Sequence, residues 1–104
     1  MKVNITDGLA SLDAYWSQKI IGESNGQSFK VAKGIGEIKW HTHDDQDALF
    51  ILYKGYLTIQ LRTENIELFE GNMFVVPNGV EHCPKAEEEV AFLIAGLDIK
   101  RKGG

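Results

Sequence analysis

The chain carries a single cysteine, Cys83, so no internal disulfide can form, and the expectation is a protein of a reducing cytoplasm. No apolar run approaches the ~20 residues that a membrane helix needs. Met1 to Asp13 has neither a basic start followed by an apolar stretch nor a small-residue cleavage pattern, which predicts a chain that is neither exported nor anchored. Positive charge is also scarce. Fifteen acidic against 11 basic side chains give a formal net charge of -4, which argues against a nucleic-acid surface and points to a small-molecule partner. There are only two arginines, Arg62 near a turn and Arg101 in the basic tail, and no glycine loop of the phosphate-cradling kind.

What is present is an all-β rhythm. With 104 residues and 43% apolar composition the chain supports one domain, residues 1–104, with an N-terminal extension over 1–14 and a tail over 97–104. Short segments rich in β-branched and aromatic residues are predicted as strands. They run over Tyr15 to Ile21, Gln27 to Gly34, Ile38 to His43, Ala48 to Lys54, Tyr56 to Leu61, Ile66 to Phe69, Met73 to Val76, Glu81 to Ala86 and Val90 to Gly96. Breaks at Ser24-Asn25-Gly26, Gly55, Thr63-Glu64-Asn65, Gly71-Asn72 and Glu87-Glu88-Glu89 have turn composition and imply antiparallel pairing. Only Thr6 to Ala14 suits a helical turn, with Thr6 or Asp7 as its N-cap. Closing such strands into a small barrel or jelly roll removes exposed edges.

Neighbours i and i+2 on a strand share a face. In Ala48 to Lys54 both faces are apolar, so the outer row Leu49, Ile51 and Tyr53 needs a cover. The candidates are a second copy of the chain in a homodimer, or the N-terminal segment with Tyr15 and Trp16. Phe50, Leu57, Ile59, Phe74, Val76, Phe92 and Ile94 are the predicted apolar lining.

All three histidines fall in two short segments, His41-Thr42-His43 and Pro77-Asn78-Gly79-Val80-Glu81-His82. His41 and His43 project from one face of an extended strand, and His82 follows a proline-glycine turn. Three imidazoles converging on one ion form an ordinary first-row metal arrangement with open positions. The spacing resembles the cupin superfamily, in particular its small single-domain, RmlC-like members, whose motifs are G-x5-H-x-H-x(3,4)-E-x6-G and G-x5-P-x-G-x2-H-x3-N. Gly71, Pro77, Gly79 and His82 match the second, with Ala86 in place of its final Asn. His41, His43 and Gly55 match the first, with Gly36 one residue nearer His41 than the pattern has it. The resemblance runs from about Gly26 to Gly96 and implies a double-stranded β-helix (jelly-roll) barrel.

The position of the cupin glutamate is Ala48, so the usual fourth protein ligand is missing. Three neutral imidazoles leave the full charge of a divalent ion uncompensated, which favours an anionic or chelating ligand. The resemblance extends to the three-histidine iron sites of some cupin dioxygenases. Asp47 is either a replacement ligand turned inward by a bulge or a loop-end carboxylate in solvent, like Asp44 and Asp45. Lys39 shares the predicted face of His41 and His43, and it either meets an anion at the barrel mouth or is solvated. Trp40, on the other face, requires a partner subunit or a bulge. Glu81 and Cys83 point away from His82 if the strand is regular. The expected cofactor is one divalent transition metal per chain (Fe, Zn, Ni or Cu), held by His41, His43 and His82. Three functions stay open: a metal-dependent dioxygenase acting on a small organic molecule, a non-catalytic metabolite- or metal-binding barrel, and a sugar-phosphate isomerase. No catalytic acid or base is assigned.

Overall fold

In a computed structural model of the chain, which describes residues 1–97, eight elements follow one another: α1 (Ile5–Ala10), β1 (Gln18–Ser24), β2 (Gln27–Glu37), β3 (Ala48–Lys54), β4 (Tyr56–Leu61), β5 (Asn65–Phe69), β6 (Met73–Val76) and β7 (His82–Leu97). The basic tail lies outside the described residues. All strand pairing is antiparallel, in the order β1-β2-β7-β3-β6, with β4 joined to both β5 and β7. The result is a small jelly-roll barrel. Among the described residues no helix is long and apolar enough to cross a membrane.

β7 organises the barrel. Its first residues pair with β4 (Leu61↔His82 to Thr58↔Lys85), its later ones pair with β3 (Lys54↔Ala91 to Leu49↔Ala95), and β2 follows it along its other edge. One strand therefore spans both halves of the barrel. The predicted turn at Glu87-Glu88-Glu89 is instead part of this 16-residue strand. On the β2 side only Ile35 lies between the pairs Gly34↔Val90 and Gly36↔Ala86, whereas β7 has three residues there, so the acidic triplet bulges into solvent. A bulge bends a strand without ending it, and charged residues suit both a bulge and a turn.

β3 passes into β4 through Gly55 alone, at φ +94°, where a Cβ would stand 3.0 Å from the Glu89 carbonyl oxygen. Any other residue there meets both a conformational and a steric penalty. Inside, Phe50, Leu52, Leu57, Ile59, Val76 and Phe92 form the main core, with Phe74 and Ile94 packed against it. Every residue predicted to line the barrel is in this cluster. Full burial of side chains such as Leu57 and Ile59 contributes roughly 1.5–3 kcal/mol each.

The N-terminal segment covers less of β3 than expected. Helix α1 and the residues just after it seat Ile5, Leu9 and Leu12 over Val31, Ala91, Leu93 and Tyr53, which shields only the Tyr53 end of the outer row. Its N-cap is Asn4, whose Oδ1 accepts the Asp7 N–H at 3.0 Å, and not Thr6 or Asp7, because Thr6 is turned to the Tyr53 hydroxyl at 3.1 Å. Trp16 does not lie on the outside of β3. It packs into the main core against Phe92, ring centroids 6.0 Å apart, while Tyr15 stays exposed and donates to Glu89 at 2.7 Å.

Trp16 is fixed by its backbone N–H to the Lys33 carbonyl and by its indole N–H to the Ile35 carbonyl at 3.0 Å, and its ring closes on Gly34. A Cβ at position 34 would approach that ring to 2.6 Å. Gly34→Ala is therefore expected to destabilise the fold by about 1–3 kcal/mol through overpacking, read from urea unfolding, with a red shift of tryptophan emission as the ring is displaced.

Candidate metal centre

The segment Ile38 to His43 is not the regular strand that alternation predicts. Its only bridge is His41↔His82, and Ile38 lines the same cavity as His41, which strict alternation forbids. The bridge consists of two hydrogen bonds, His41 N–H to the His82 carbonyl and His82 N–H to the His41 carbonyl, both 3.0 Å. Two further bonds tie the Pro77–His82 turn to the same segment. Gly79, at φ +83°, donates its N–H to the His43 carbonyl at 2.8 Å, and Asn78 donates its N–H to the Asp47 carboxylate at 2.8 Å.

This clamp brings the three imidazoles together, with candidate ligand nitrogens all within 4.8 Å of one another. Ring centroids are 4.3 Å apart for His41 and His82, 5.3 Å for His41 and His43, and 5.5 Å for His43 and His82. In both His41 and His82 the Nδ1 lies 3.0 Å from the carbonyl oxygen two residues earlier, Lys39 and Val80 respectively. A carbonyl can only accept, so Nδ1 carries the proton and the Nε2 lone pair is left for a ligand. His82 is wholly buried, and its Nε2 has no hydrogen-bond partner among the described residues. An orphaned acceptor in a barrel interior is costly, and a cation is the partner that its geometry and its two neighbours suit.

The donor set fits a first-row divalent ion. Two nitrogens bound to one ion at about 2.1 Å each stand no more than about 4.2 Å apart, so binding draws these rings together by well under a side-chain rotation. Burial pushes the His82 imidazole below its ordinary value, aided by the nearby His41 and His43 and opposed by the bond to Val80. Burial also lowers His43, followed by His41; Lys30 acts in the same direction, against Asp45 and Asp44. Both rings are thus biased toward the neutral form that binds metal.

Asp47 is not with the histidines. Its carboxylate is diverted to the Asn78 N–H, where it supports the turn that carries His82. No carboxylate among the described residues joins the three-histidine group. Lys39 is exposed and contributes only its carbonyl. Trp40 is capped by the Arg62 guanidinium, 3.7 Å from the ring centroid, which explains an apolar residue there without a partner subunit. Arg62 in turn pairs with Glu81 at 3.0 Å, away from the histidines. Cys83 is buried, its thiol 2.8 Å from the Ile38 carbonyl oxygen, and burial pushes that thiol up from its ordinary value, toward the protonated form.

Beside the triad lies a cavity of about 130 Å³, lined by His41, His43, Phe50, Phe92, Ile94 and Trp16 among others. Its wall also holds Lys30, Gln18 and Gln46, which sequence reasoning missed. For Lys30 alternation pointed the wrong way, since Phe29 and Val31 form the apolar row of β2; the pairing with Ile94 and the burial of Ser28 and Ala32 put its face inward. For Gln46, in an irregular loop, there was no signal.

The sequence profile of the cupin domain matches residues 27–99, most of the chain. Among curated proteins, an uncharacterised protein, YdbB of Bacillus subtilis (strain 168), is 33% identical over 63 residues, 60% of this chain and 56% of that protein. The match thus spans little more than half of that relative. Among solved structures, a cupin-2 domain containing protein from Shewanella frigidimarina NCIMB 400 is 41% identical with a TM-score of 0.88, covering 91% of this chain and 93% of that one. Protein NMB1881 from Neisseria meningitidis is 28% identical with a TM-score of 0.86, covering 94% and 100%. Hydroquinone 1,2-dioxygenase from Sphingomonas sp. TTNP3 is similar in fold, with a TM-score of 0.78 at 16% identity over 91% of this chain and 72% of that one.

Removing His41, His43 or His82 singly by alanine substitution is expected to weaken metal retention by more than the ~10–100-fold that loss of an outer partner costs. Asp47→Ala should keep the metal and lose about 1 kcal/mol of stability. Equal metal loss in Asp47→Ala, measured by elemental analysis, would overturn the ligand assignment. A pH dependence follows from the two lowered imidazoles. The unfolded chain takes up protons first as pH falls through the ordinary histidine range, so the metal-free protein is most stable above that range and weakens as pH drops through it. Thermal unfolding at pH 7.5 and 5 should show this fall, reduced in His82→Asn. With the three-histidine cluster, the jelly-roll topology and the domain match in agreement, the chain belongs to the cupin family.

Proposed function

We propose that this cupin holds one divalent transition metal on His41, His43 and His82 and acts on a small organic molecule in the adjoining cavity, in the manner of three-histidine dioxygenases. The observation that carries the reading is the buried, unpartnered Nε2 of His82 gathered with two further imidazoles, one of which, His41, also holds its proton on Nδ1 and leaves its Nε2 lone pair free. When bound, the ion would supply Lewis acidity and, if it is iron, a route to dioxygen chemistry. The chain's own residues do the rest. Lys39 and Val80 carbonyls fix the ring orientations, Phe50 packs edge-on against His82 at 6.1 Å, and the apolar wall of Phe92 and Ile94 limits water beside the triad.

Absence of a carboxylate from the triad favours dioxygen chemistry over isomerisation or hydrolysis, which need a positioned base more. The same absence supports the second reading, a non-catalytic binding barrel. A sugar-phosphate isomerase is disfavoured, because Arg62 is committed to Trp40 and Glu81 and a phosphate dianion would meet one lysine in the cavity. The likeness to the hydroquinone dioxygenase supports the fold alone.

The test is elemental analysis of protein purified without a chelating tag, alongside His82→Ala, followed by oxygen consumption with candidate substrates. Iron near one per chain that disappears in the variant supports the dioxygenase reading. Zinc or nickel supports redox-inert chemistry, and no metal after reconstitution overturns the metal-centre reading.

A homodimer and a cytoplasmic location belong to the same proposal. The single buried thiol supports the compartment. For the dimer, the outer sheet face carries two apolar rows in register, Phe29–Ala95–Leu49–Val75 and Val31–Leu93–Ile51–Met73, and α1 covers only part of the second. Met73 is 59% exposed and Val75 36%, so this face suits a second copy in a two-fold arrangement. Met73→Glu is expected to shift the protein toward monomer in sedimentation; a wild-type protein that sediments only as an 11.6 kDa monomer would remove the dimer.

A further inference from the structure

The polar groups around the cavity divide into those already satisfied and those left over. Gln46 spends its amide on Leu97, accepting the N–H at 2.7 Å and donating to the carbonyl at 3.3 Å. Asp47 is taken by Asn78. What remains, beside the imidazoles, is the ammonium of Lys30 and the amide of Gln18, neither of which has a hydrogen-bond partner among the described residues. Lys30 is half-buried, and among the described residues no carboxylate stands within ion-pair distance of it. A cationic side chain on a cavity wall with no counter-charge beside it favours an anion in that cavity.

The two groups lie together. Lys30 pairs across the sheet with Ile20 on one side and Ile94 on the other, and Gln18 stands two residues before Ile20, so Gln18 and Lys30 are diagonal neighbours on the inward face. Diagonal neighbours are within reach of long side chains, and an ammonium beside an amide N–H suits the two oxygens of a carboxylate. Between them and the histidines the wall is apolar, with Trp16, Phe50, Phe92 and Ile94. At about 130 Å³ the space is close to the ~150 Å³ engineered cavity that accepts benzene, so the apolar body is of that order of size.

We infer that Lys30, with Gln18, binds the carboxylate of a small aromatic or branched monocarboxylic acid whose body fills the apolar cavity beside the three histidines. The inference deepens the function proposed above by naming a substrate class. It depends on that reading only for what lies at the far end of the ligand.

The test is a fluorescence titration with benzoate and with benzyl alcohol. A Trp40→Phe background leaves Trp16, which lines the cavity, as the sole tryptophan. Metal-free and zinc-loaded protein are both titrated, and zinc content is measured in the same samples. In Lys30→Met, benzoate affinity is expected to fall about tenfold or more, benzyl alcohol affinity to stay unchanged, and Lys30→Arg to recover benzoate binding. Lys39→Met, at an exposed site, should behave as the parent. Undiminished benzoate binding by Lys30→Met, equal losses for both probes, or no saturable benzoate binding by the parent in either form would overturn the assignment. Failure of zinc to load, with the Lys30 effect intact in metal-free protein, would instead count against the metal centre alone.

Discussion

Everything functional in this barrel hangs on the pair of backbone hydrogen bonds that close His41 onto His82. The two residues are separated by the whole of β3 to β6, and closing such a loop costs entropy before any contact returns it. The cost is shared with the barrel. β7 starts at His82 and is pinned to β4 from its first residue, so the same strand that completes the core also delivers the most buried imidazole. The bonds from Gly79 to His43 and from Asn78 to Asp47 then hold the turn against the opposite segment. A centre built this way is assembled by folding and does not wait for a ligand to gather it.

Charge follows from what the clamp uses. Asp47, the carboxylate nearest the vacant glutamate position, is consumed in holding the turn, and Ala48 is buried in the core. Three neutral imidazoles cannot offset a divalent ion, and the one charged side chain left unpaired on the cavity wall is Lys30, of the same sign as the ion. With a divalent ion bound, a chain with a formal charge of -4 would hold a locally electropositive interior.

Much of this was legible before any coordinates. Alternation located β3, β4 and β6 at their bounds and the whole apolar lining, because one face of each is core. The histidine motifs were legible because ligand spacing is local within each segment. Legibility failed where a long-range contact overrides local pattern. Glu87 to Glu89 has turn composition, yet β2 continues alongside and the strand bulges instead of ending. Ile38 to His43 has strand composition, yet it forms a ladder bridge only at His41↔His82, so its alternation does not hold and Lys39 faces solvent. Lys30 was overlooked for the reverse reason. It sits in a regular strand, but a lysine is read by default as exposed, and only its cross-strand partner Ile94 reveals the face it is on.

The burial gradient across the triad bears on how such a site is tuned. His82 is wholly buried, His41 half-buried and His43 exposed, so the site is rigid on the β7 side and open toward the loop that carries Asp44 to Asp47. Ring orientation is set locally, since His41 and His82 each donate to a carbonyl two residues back in their own segment. Ring separation is set remotely, by the bridge and the turn. The Asp47–Asn78 contact therefore bears on distances within the triad, while the two Nδ1–carbonyl bonds bear on the tautomers of His41 and His82.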